Sequence, residues 1–298
     1  MSNLVSSRPR RNYLPAVLIM PAFAVVFAIA VISFGWLLWL SLTDLKFGDP
    51  MSKANLVGLD NYNWLVFNEH STFWDSVKTT LIYIAGTLIP QLVLGFGLAM
   101  LLNRKMRGRP ALTAILIIPV VMMPSMVGMT WRLYFAPEGL VNFFVETLTG
   151  ARLNWYGPDL ALLAVIIVDI WEWTPFFVLI LLAGLQTLPV EVYEAAKVDG
   201  ASRWDAFVTI TLPLMRPLLL TTLILRFMDV LRIFDVIFAM FGGGPGEVTT
   251  TLPIYVYRAT LVAREVGRGS AASIMLVIVI VILTFLLIRL RERVKVEV

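Results

Sequence analysis

The sequence contains no cysteine and only one histidine among its 298 residues. Without cysteine, the chain forms no disulfide, no thiolate metal site and no cysteine nucleophile, although this absence does not identify the redox compartment. His70 lies in a polar segment and has no second histidine with which to share a metal, so we interpret it as a surface residue. Thiol chemistry and multi-histidine metal sites are therefore excluded.

Charge is also scarce, because only 15% of the residues are charged while 59% are hydrophobic and the mean hydropathy is +0.83. Soluble domains are about 45–50% apolar. No segment is both polar and long enough to fold as a separate soluble domain, so we predict one transmembrane domain over residues 1–298. The net charge of +4 comes from short basic tracts beside apolar runs, which does not indicate a nucleic-acid partner.

Six apolar runs are long enough to cross a bilayer, which requires about 20 residues per helix. They lie near residues 14–42, 79–103, 111–135, 159–186, 214–240 and 269–290. The first run is too long for the apolar core of a signal peptide. The predicted fold class is thus an all-α polytopic membrane protein with six transmembrane helices, interrupted by proline near Pro119, Pro124 and Pro175.

Lysine and arginine are unevenly distributed among the connecting segments. Basic residues are dense at 8–11, 104–109, 197–216 and 289–295 and sparser in the alternate segments. The positive-inside rule then predicts that both termini and the loop at 187–213 are cytoplasmic.

The loop at 187–213 has the pattern of a helix, a turn and a second helix. Pro189 suits a helix start, and Asp199-Gly200 is a turn signal because glycine accepts the positive φ of a helix C-terminus. Ser202 with Asp205 three residues later indicates a capping box for the second helix. We predict a compact folded knob on the cytoplasmic side.

This loop resembles the EAA loop of ABC importer permeases, which are the membrane subunits served by solute-binding proteins. The seven matching positions are Glu194, Ala195, Ala196, Gly200, Ile210, Leu212 and Pro213, and the resemblance also assigns the adjacent Asp199 to the coupling loop. A simple helical hairpin between two spans is the alternative interpretation, with Gly200 only a helix cap. The resemblance continues through 55–65, 131–142, 169–175, 182–186 and the glycine-proline segment 242–251, and it points to the carbohydrate-uptake branch.

The resemblance implies a type I importer permease fold and a transport subunit that is not an enzyme by itself. It also implies two copies of an ABC ATPase, a second homologous permease subunit, and an extracytoplasmic solute-binding protein, in the inner (plasma) membrane of a prokaryote. The sequence contains no G-x-x-x-x-G-K-[ST] motif, so ATP and Mg are expected in the partner ATPase and no cofactor in this chain. The loop would be the ATPase-coupling element.

Six charged residues lie within the predicted fourth and fifth spans, where a centred charge costs roughly 2.5–3.5 kcal/mol on insertion scales. They are Asp169, Glu172, Arg226, Asp229, Arg232 and Asp235. One hypothesis is structural pairing at i, i+3, of Arg226 with Asp229 and of Arg232 with Asp235. The other is a ligand role.

By resemblance to sugar permeases, a substrate pathway lies between these two spans. Its candidate residues are Glu172, Trp173, Phe176, Arg226, Asp229, Val230 and Ile233. Aromatic rings and charged groups together suit a polyhydroxy ligand, and a cavity-facing arginine could also accept an anionic sugar.

Two other function classes remain open from the residues alone. An ion-coupled secondary carrier would use the intramembrane carboxylates, but it predicts an inverted repeat that the sequence does not show. An intramembrane enzyme would need a nucleophile or metal motif, and the sequence has neither.

Overall fold

The computed structural model describes residues 14–104 and 106–293, and across these ranges the chain is helical and contains no strand. Part of the orientation prediction rests on Arg8, Arg10, Arg11, Lys105 and Lys295, which lie outside the described residues. The all-α class predicted from the apolar runs is confirmed.

Thirteen α-helices occur in the described part of the chain. They are α1 (Leu14–Ser41), α2 (Asp60–Phe67), α3 (Phe73–Leu102), α4 (Arg109–Val121), α5 (Pro124–Tyr134), α6 (Leu140–Thr149), α7 (Ala161–Gln186), α8 (Val190–Val198), α9 (Arg203–Ala206), α10 (Leu212–Val230), α11 (Asp235–Phe241), α12 (Leu252–Tyr257) and α13 (Val266–Arg293). Short π-helical turns at Phe207–Thr211 and Arg258–Val262 lead into or out of these helices, and a 3₁₀ turn occupies Met51–Lys53.

Five helical segments are long and apolar enough to cross a membrane: α1, α3, α7, the continuous stretch from Arg203 to Val230, and α13. A sixth is present if α4 and α5 form one span, although they meet at an angle of 97°. The single helix predicted at 111–135 is therefore two helices. Met122 and Met123 are extended because a residue before proline avoids the helical region, and Pro124 then begins α5.

The fifth predicted span, 214–240, is also divided, since α10 ends at Val230 and α11 begins at Asp235. No proline or glycine lies between them. The two helices share α7 but otherwise have different neighbours: α11 packs mainly on α5, where Gly128 allows close approach of Val236 and Ala239, whereas α10 also packs on α3 and α13. Tertiary packing thus sets this break.

Proline does not interrupt the fourth span, contrary to the prediction. Helix α7 continues through Pro175 from Ala161 to Gln186. One missing N–H does not end a helix that packs along its length, and in a bundle the neighbours can compensate for the freed carbonyl. Proline therefore interrupts the helix near 119–124 but not at Pro175, because the helices that pack around the two positions differ.

Helices α3 and α7 form the centre of the bundle. They approach closely at Gly95, which lies against the Phe177 side chain, and both helices contribute fully buried residues such as Tyr83 and Phe177. Helix α1 is peripheral and packs on α13, with Leu18 to Trp36 largely exposed. An apolar exposed helix is what a lipid environment requires.

The segment after α1 folds back onto the start of α13. Asn61 is buried and donates to the carbonyl oxygens of Ser41 (2.9 Å) and Thr43 (2.8 Å). Asp44 accepts hydrogen bonds from the backbone N–H (2.8 Å) and Nδ2 (3.1 Å) of Asn55. These hydrogen bonds hold the pKa of Asp44 below its ordinary value of 3.8.

Candidate functional site

The guanidinium of Arg226 lies inside the helix bundle and is only 1% exposed. Its Nη2 donates to both carboxylate oxygens of Asp169, at 2.6 and 2.8 Å, which joins α10 to α7. Its Nη1 donates to Asp229 on its own helix. A buried cation is stable only when paired, so these carboxylates are what allow Arg226 to occupy the span.

Helix α3 completes the arrangement through Gln91. Its Nε2 donates to the backbone oxygen (2.9 Å) and Oδ2 (2.8 Å) of Asp169, and its Oε1 accepts from Nε of Arg226 at 3.4 Å. The Trp173 ring lies 4.2 Å from Cζ of Arg226, in a cation–π contact. Three helices are thus connected by one guanidinium.

Two buried polar atoms beside this guanidinium have no hydrogen-bond partner within the described residues: Oε2 of Glu172 and Oη of Tyr83. Asp169, Glu172 and Trp173 are at i, i+3 and i+4 on α7 and therefore share one face. Glu172 is 1% exposed and lies within electrostatic range of Asp169, Arg226 and Asp229. We call Tyr83, Gln91, Asp169, Glu172, Trp173, Arg226 and Asp229 the arginine cluster.

Four of the seven predicted pathway residues belong to this cluster: Glu172, Trp173, Arg226 and Asp229. Phe176 is half-buried beside Trp173, with ring centroids 6.2 Å apart. Val230 is fully buried at the end of α10, and Ile233 is half-buried in the break that follows. The fold brings these positions together, and their contact with a solute stays a prediction.

The geometry differs from the sequence expectation in how the charges pair. Arg232 lies 3.7 Å from Asp229, so the predicted pairing with Asp235 is wrong, because the helix breaks between the two residues. The predicted pairing of Arg226 with Asp229 is present. An anionic sugar would have to displace a carboxylate to reach Arg226.

Gln91 and Tyr83 were not among the residues predicted from the sequence, and neither was the pairing of Asp169 with Arg226. Gln91 could have been noticed as an uncharged polar residue within the apolar run of α3. No pattern places residue 169 against residue 226, because that contact depends on how α7 and α10 pack. Within residues 14–104 and 106–293, no group of His, Asp and Glu side chains is arranged to hold a metal ion.

The predicted helix-turn-helix knob at the start of the loop is confirmed. Helix α8 is followed by Gly200 with φ +79°, and a capping box joins Ser202 and Asp205 through hydrogen bonds of 3.0 and 3.2 Å. The second helix differs from the prediction, since α9 continues through a π-helical turn into α10 without a separate end. The knob is therefore continuous with the fifth span.

The knob is anchored on its inner side and exposed on its outer side. Tyr193 and Thr211 share a hydrogen bond of 2.9 Å, and Phe207 packs on Phe96 of α3. Val198 and Trp204 are 88% and 70% exposed. Among the EAA-loop positions, Glu194, Ala195, Asp199 and Gly200 are exposed, whereas Ala196, Ile210, Leu212 and Pro213 are half-buried. Large exposed apolar side chains on an otherwise polar knob favour a protein contact surface there.

Residues 91–296 match the family described as the binding-protein-dependent transport system inner membrane component. The chain belongs to this family. It is 37% identical over 278 residues to the trehalose/maltose transport system permease protein MalF of Thermococcus litoralis, covering 92% of each chain. It is 34% identical over 269 residues to the sulfoquinovosyl glycerol transport system permease protein SmoG of Agrobacterium fabrum, covering 88% of this chain and 85% of that one.

A solved chain from a bacterial ABC transporter involved in the import of the acidic polysaccharide alginate superposes with a TM-score of 0.80. That alignment covers 96% of this chain and 98% of the other at 22% identity, so it concerns the fold alone. The resemblance drawn from the EAA loop is confirmed, as is the type I importer permease fold. The chain is a membrane-embedded component of a transport system.

Proposed function

We propose that this chain is a permease subunit of an ATP-driven ABC importer that moves a sugar or sugar derivative from a binding protein into the cytoplasm. The observation that carries the proposal is the folded knob at 190–206, with its exposed apolar residues, continuous with a transmembrane helix. The relatives named above support the substrate class, because their names specify trehalose, maltose and sulfoquinovosyl glycerol.

The knob docks into a groove of an ABC ATPase, of which two copies bind and hydrolyse ATP with Mg. Its acidic residues, Glu191, Glu194, Asp199 and Asp205, outnumber the basic Lys197 and Arg203. Its partner groove is therefore expected to be basic at the edge, with an apolar floor for Val198 and Trp204. This chain itself binds no cofactor and catalyses no reaction.

A second, homologous permease subunit completes the pathway, most simply as a heterodimer, and a solute-binding protein docks on the external side. Both termini and the knob are placed in the cytoplasm by the positive-inside rule, in the inner (plasma) membrane of a prokaryote. The alternating-access step is a rocking of the helices as the ATPase dimer closes and pulls on the knob, which continues directly into α10.

In the pathway, Trp173 and Phe176 provide aromatic faces for sugar C–H groups, and Asp229 provides a half-exposed carboxylate that accepts hydrogen bonds from hydroxyls. Ile233 lines the same region in the break after α10, and Val230 lies at the end of α10, where it is buried in this structure.

The test is purification of the tagged chain from its native membrane in mild detergent, with mass spectrometry of the accompanying proteins and reconstitution into liposomes. We expect a Walker-motif ATPase, a second permease and ATP-dependent uptake of a radiolabelled sugar in the presence of the binding protein. A chain that purifies alone and supports uptake driven by an ion gradient without ATP would contradict the proposal.

A further inference from the structure

Arg226 has three carboxylates around it but uses only two of them. Asp169 and Asp229 are bound to its Nη2 and Nη1, whereas Oε2 of the buried Glu172 accepts no hydrogen bond from the described residues. Buried polar atoms in native proteins are nearly always paired, so an exception in one state requires an explanation.

We propose that Glu172 is the acceptor that Arg226 takes in the other transport state, in exchange for Asp229. This inference rests on the proposed transport function, because it requires two conformations. Asp169 is the constant partner, since it is fully buried, bidentate and further fixed by Gln91. Asp229 is the exchangeable partner, since it is 43% exposed and a second arginine, Arg232, lies 3.7 Å away to receive it.

The surrounding helices make such an exchange geometrically reasonable. Helix α10 ends four residues after Arg226, and the non-helical stretch Leu231–Phe234 separates it from α11. Helix α11 packs mainly on α5 and less extensively on α7, whereas α10 packs on α7, α3 and α13, so a motion of α5 and α11 relative to α10 is taken up at the break after Val230 and in the last turn of α10, which carries Asp229. The ion pair with Asp169 holds the guanidinium against α7, so Glu172, one turn from Asp169 on the same helix, stays near it when the last turn of α10 unwinds and moves Asp229 away.

The exchange keeps the Arg226 guanidinium paired with two carboxylates in both states. Arg226 keeps Asp169 throughout, and its Nη1 donates to Asp229 in one state and to Glu172 in the other. Asp229 remains paired with Arg232, which is exposed. Packed interiors favour two discrete arrangements of this kind over a continuous series.

The experiment uses the assembled transporter with the neutral variants Glu172→Gln and Asp229→Asn. The chain has no native cysteine, so Phe67→Cys and Leu148→Cys, both highly exposed, provide the only thiols of this chain for a spin-label pair between α2 and α6. Electron spin resonance distances are recorded without nucleotide and with trapped ATP, alongside uptake and ATPase rates in the same liposomes.

Glu172→Gln is expected to favour the described state about tenfold, since it weakens a hydrogen bond to a charged group that forms only in the other state. Uptake should fall by a similar factor, while assembly and melting temperature stay unchanged. Asp229→Asn is expected to shift the populations in the opposite direction and to raise ATPase activity in the absence of sugar. Opposite population shifts in the two variants would distinguish an exchange of carboxylate partners from a purely structural role of Glu172 and Asp229.

Three results are informative. Wild-type populations and uptake in Glu172→Gln would overturn the exchange while leaving the transport function intact. Equal shifts in one direction, accompanied by lower melting temperatures, would also overturn it by showing only structural pairing. Absence of ATP-dependent uptake in the wild-type complex would contradict the proposed function and, with it, this inference.

Discussion

At the residue scale, the pairing of Asp169 with Arg226 has the largest expected energetic effect. Asp169→Asn leaves a buried guanidinium with only a half-exposed carboxylate, and removal of one partner of a buried ion pair costs about 3–5 kcal/mol. We expect a clearly lower melting temperature and poorer yield in detergent. Asp235→Asn is the matched control because Asp235 is exposed, and its melting temperature should stay close to wild type. Equal melting temperatures of the two variants would refute the structural role of the pair formed by Asp169 and Arg226.

Asp44 lies outside the membrane spans, and its contribution to stability depends on pH. Its hydrogen bonds from Asn55 lower its pKa in the folded state, so their stabilising contribution is complete above the unfolded-state value near 3.8. The contribution is lost as the pH falls from there through the lowered folded-state pKa. The protection factor of the Asn55 amide, which is the intrinsic exchange rate at each pH divided by the observed rate, should fall over that window in the wild type. In Asp44→Asn, exchange at neutral pH should already be faster, and an unchanged rate would argue against this hydrogen bond.

At the scale of elements, glycine sets the approach of α3 to α7. A Cβ at Gly95 would overlap the Phe177 side chain, whereas nothing lies within 4 Å of the corresponding position at Gly97. Gly95→Leu is expected to destabilise the bundle by about 1–3 kcal/mol through overpacking, and Gly97→Leu on the same helix should be tolerated in lipid. Thermal unfolding monitored by fluorescence compares them. Similar melting temperatures for both variants would show that the helices can separate without cost.

Gly200 in the knob is the second position at which the structure requires glycine. Gly200 has φ +79°, and open space surrounds it, so the constraint is its backbone conformation rather than a neighbouring atom. Gly200→Val is expected to leave the protein in the membrane while uncoupling ATP hydrolysis from uptake, because valine rarely adopts positive φ. Gly200→Asn should retain much of the coupling, since asparagine tolerates that region. Full uptake in the valine variant would count against the docking role.

At the scale of the whole molecule, stability depends on assembly. The knob exposes Val198 and Trp204, and binding of a partner to the folded state alone stabilises it by mass action. The chain produced with its ATPase and second permease should melt at a higher temperature than the chain produced alone, and the difference should shrink in Trp204→Ser. Identical melting temperatures with and without the partners would indicate that these proteins do not bind the folded chain.

The sequence by itself determined the class of the molecule, because apolar length, basic asymmetry and local turn chemistry act over neighbouring residues. The helical fold, the capping box at Ser202 and the family resemblance of the EAA loop all followed from such local patterns. The orientation of the termini stays a prediction from the same kind of pattern.

Only the tertiary structure decided which distant residues meet and where helices bend. The contact of Asp169 with Arg226, the role of Gln91 and the break at Leu231–Phe234 arise from packing between helices that are far apart in sequence. Pro175 shows the same limit, since its local tendency to interrupt a helix was overcome by the surrounding bundle. Helix propensity differs by up to about 0.7 kcal/mol between ordinary residues and by about 3 kcal/mol for proline, and many interhelical contacts acting together can exceed these amounts.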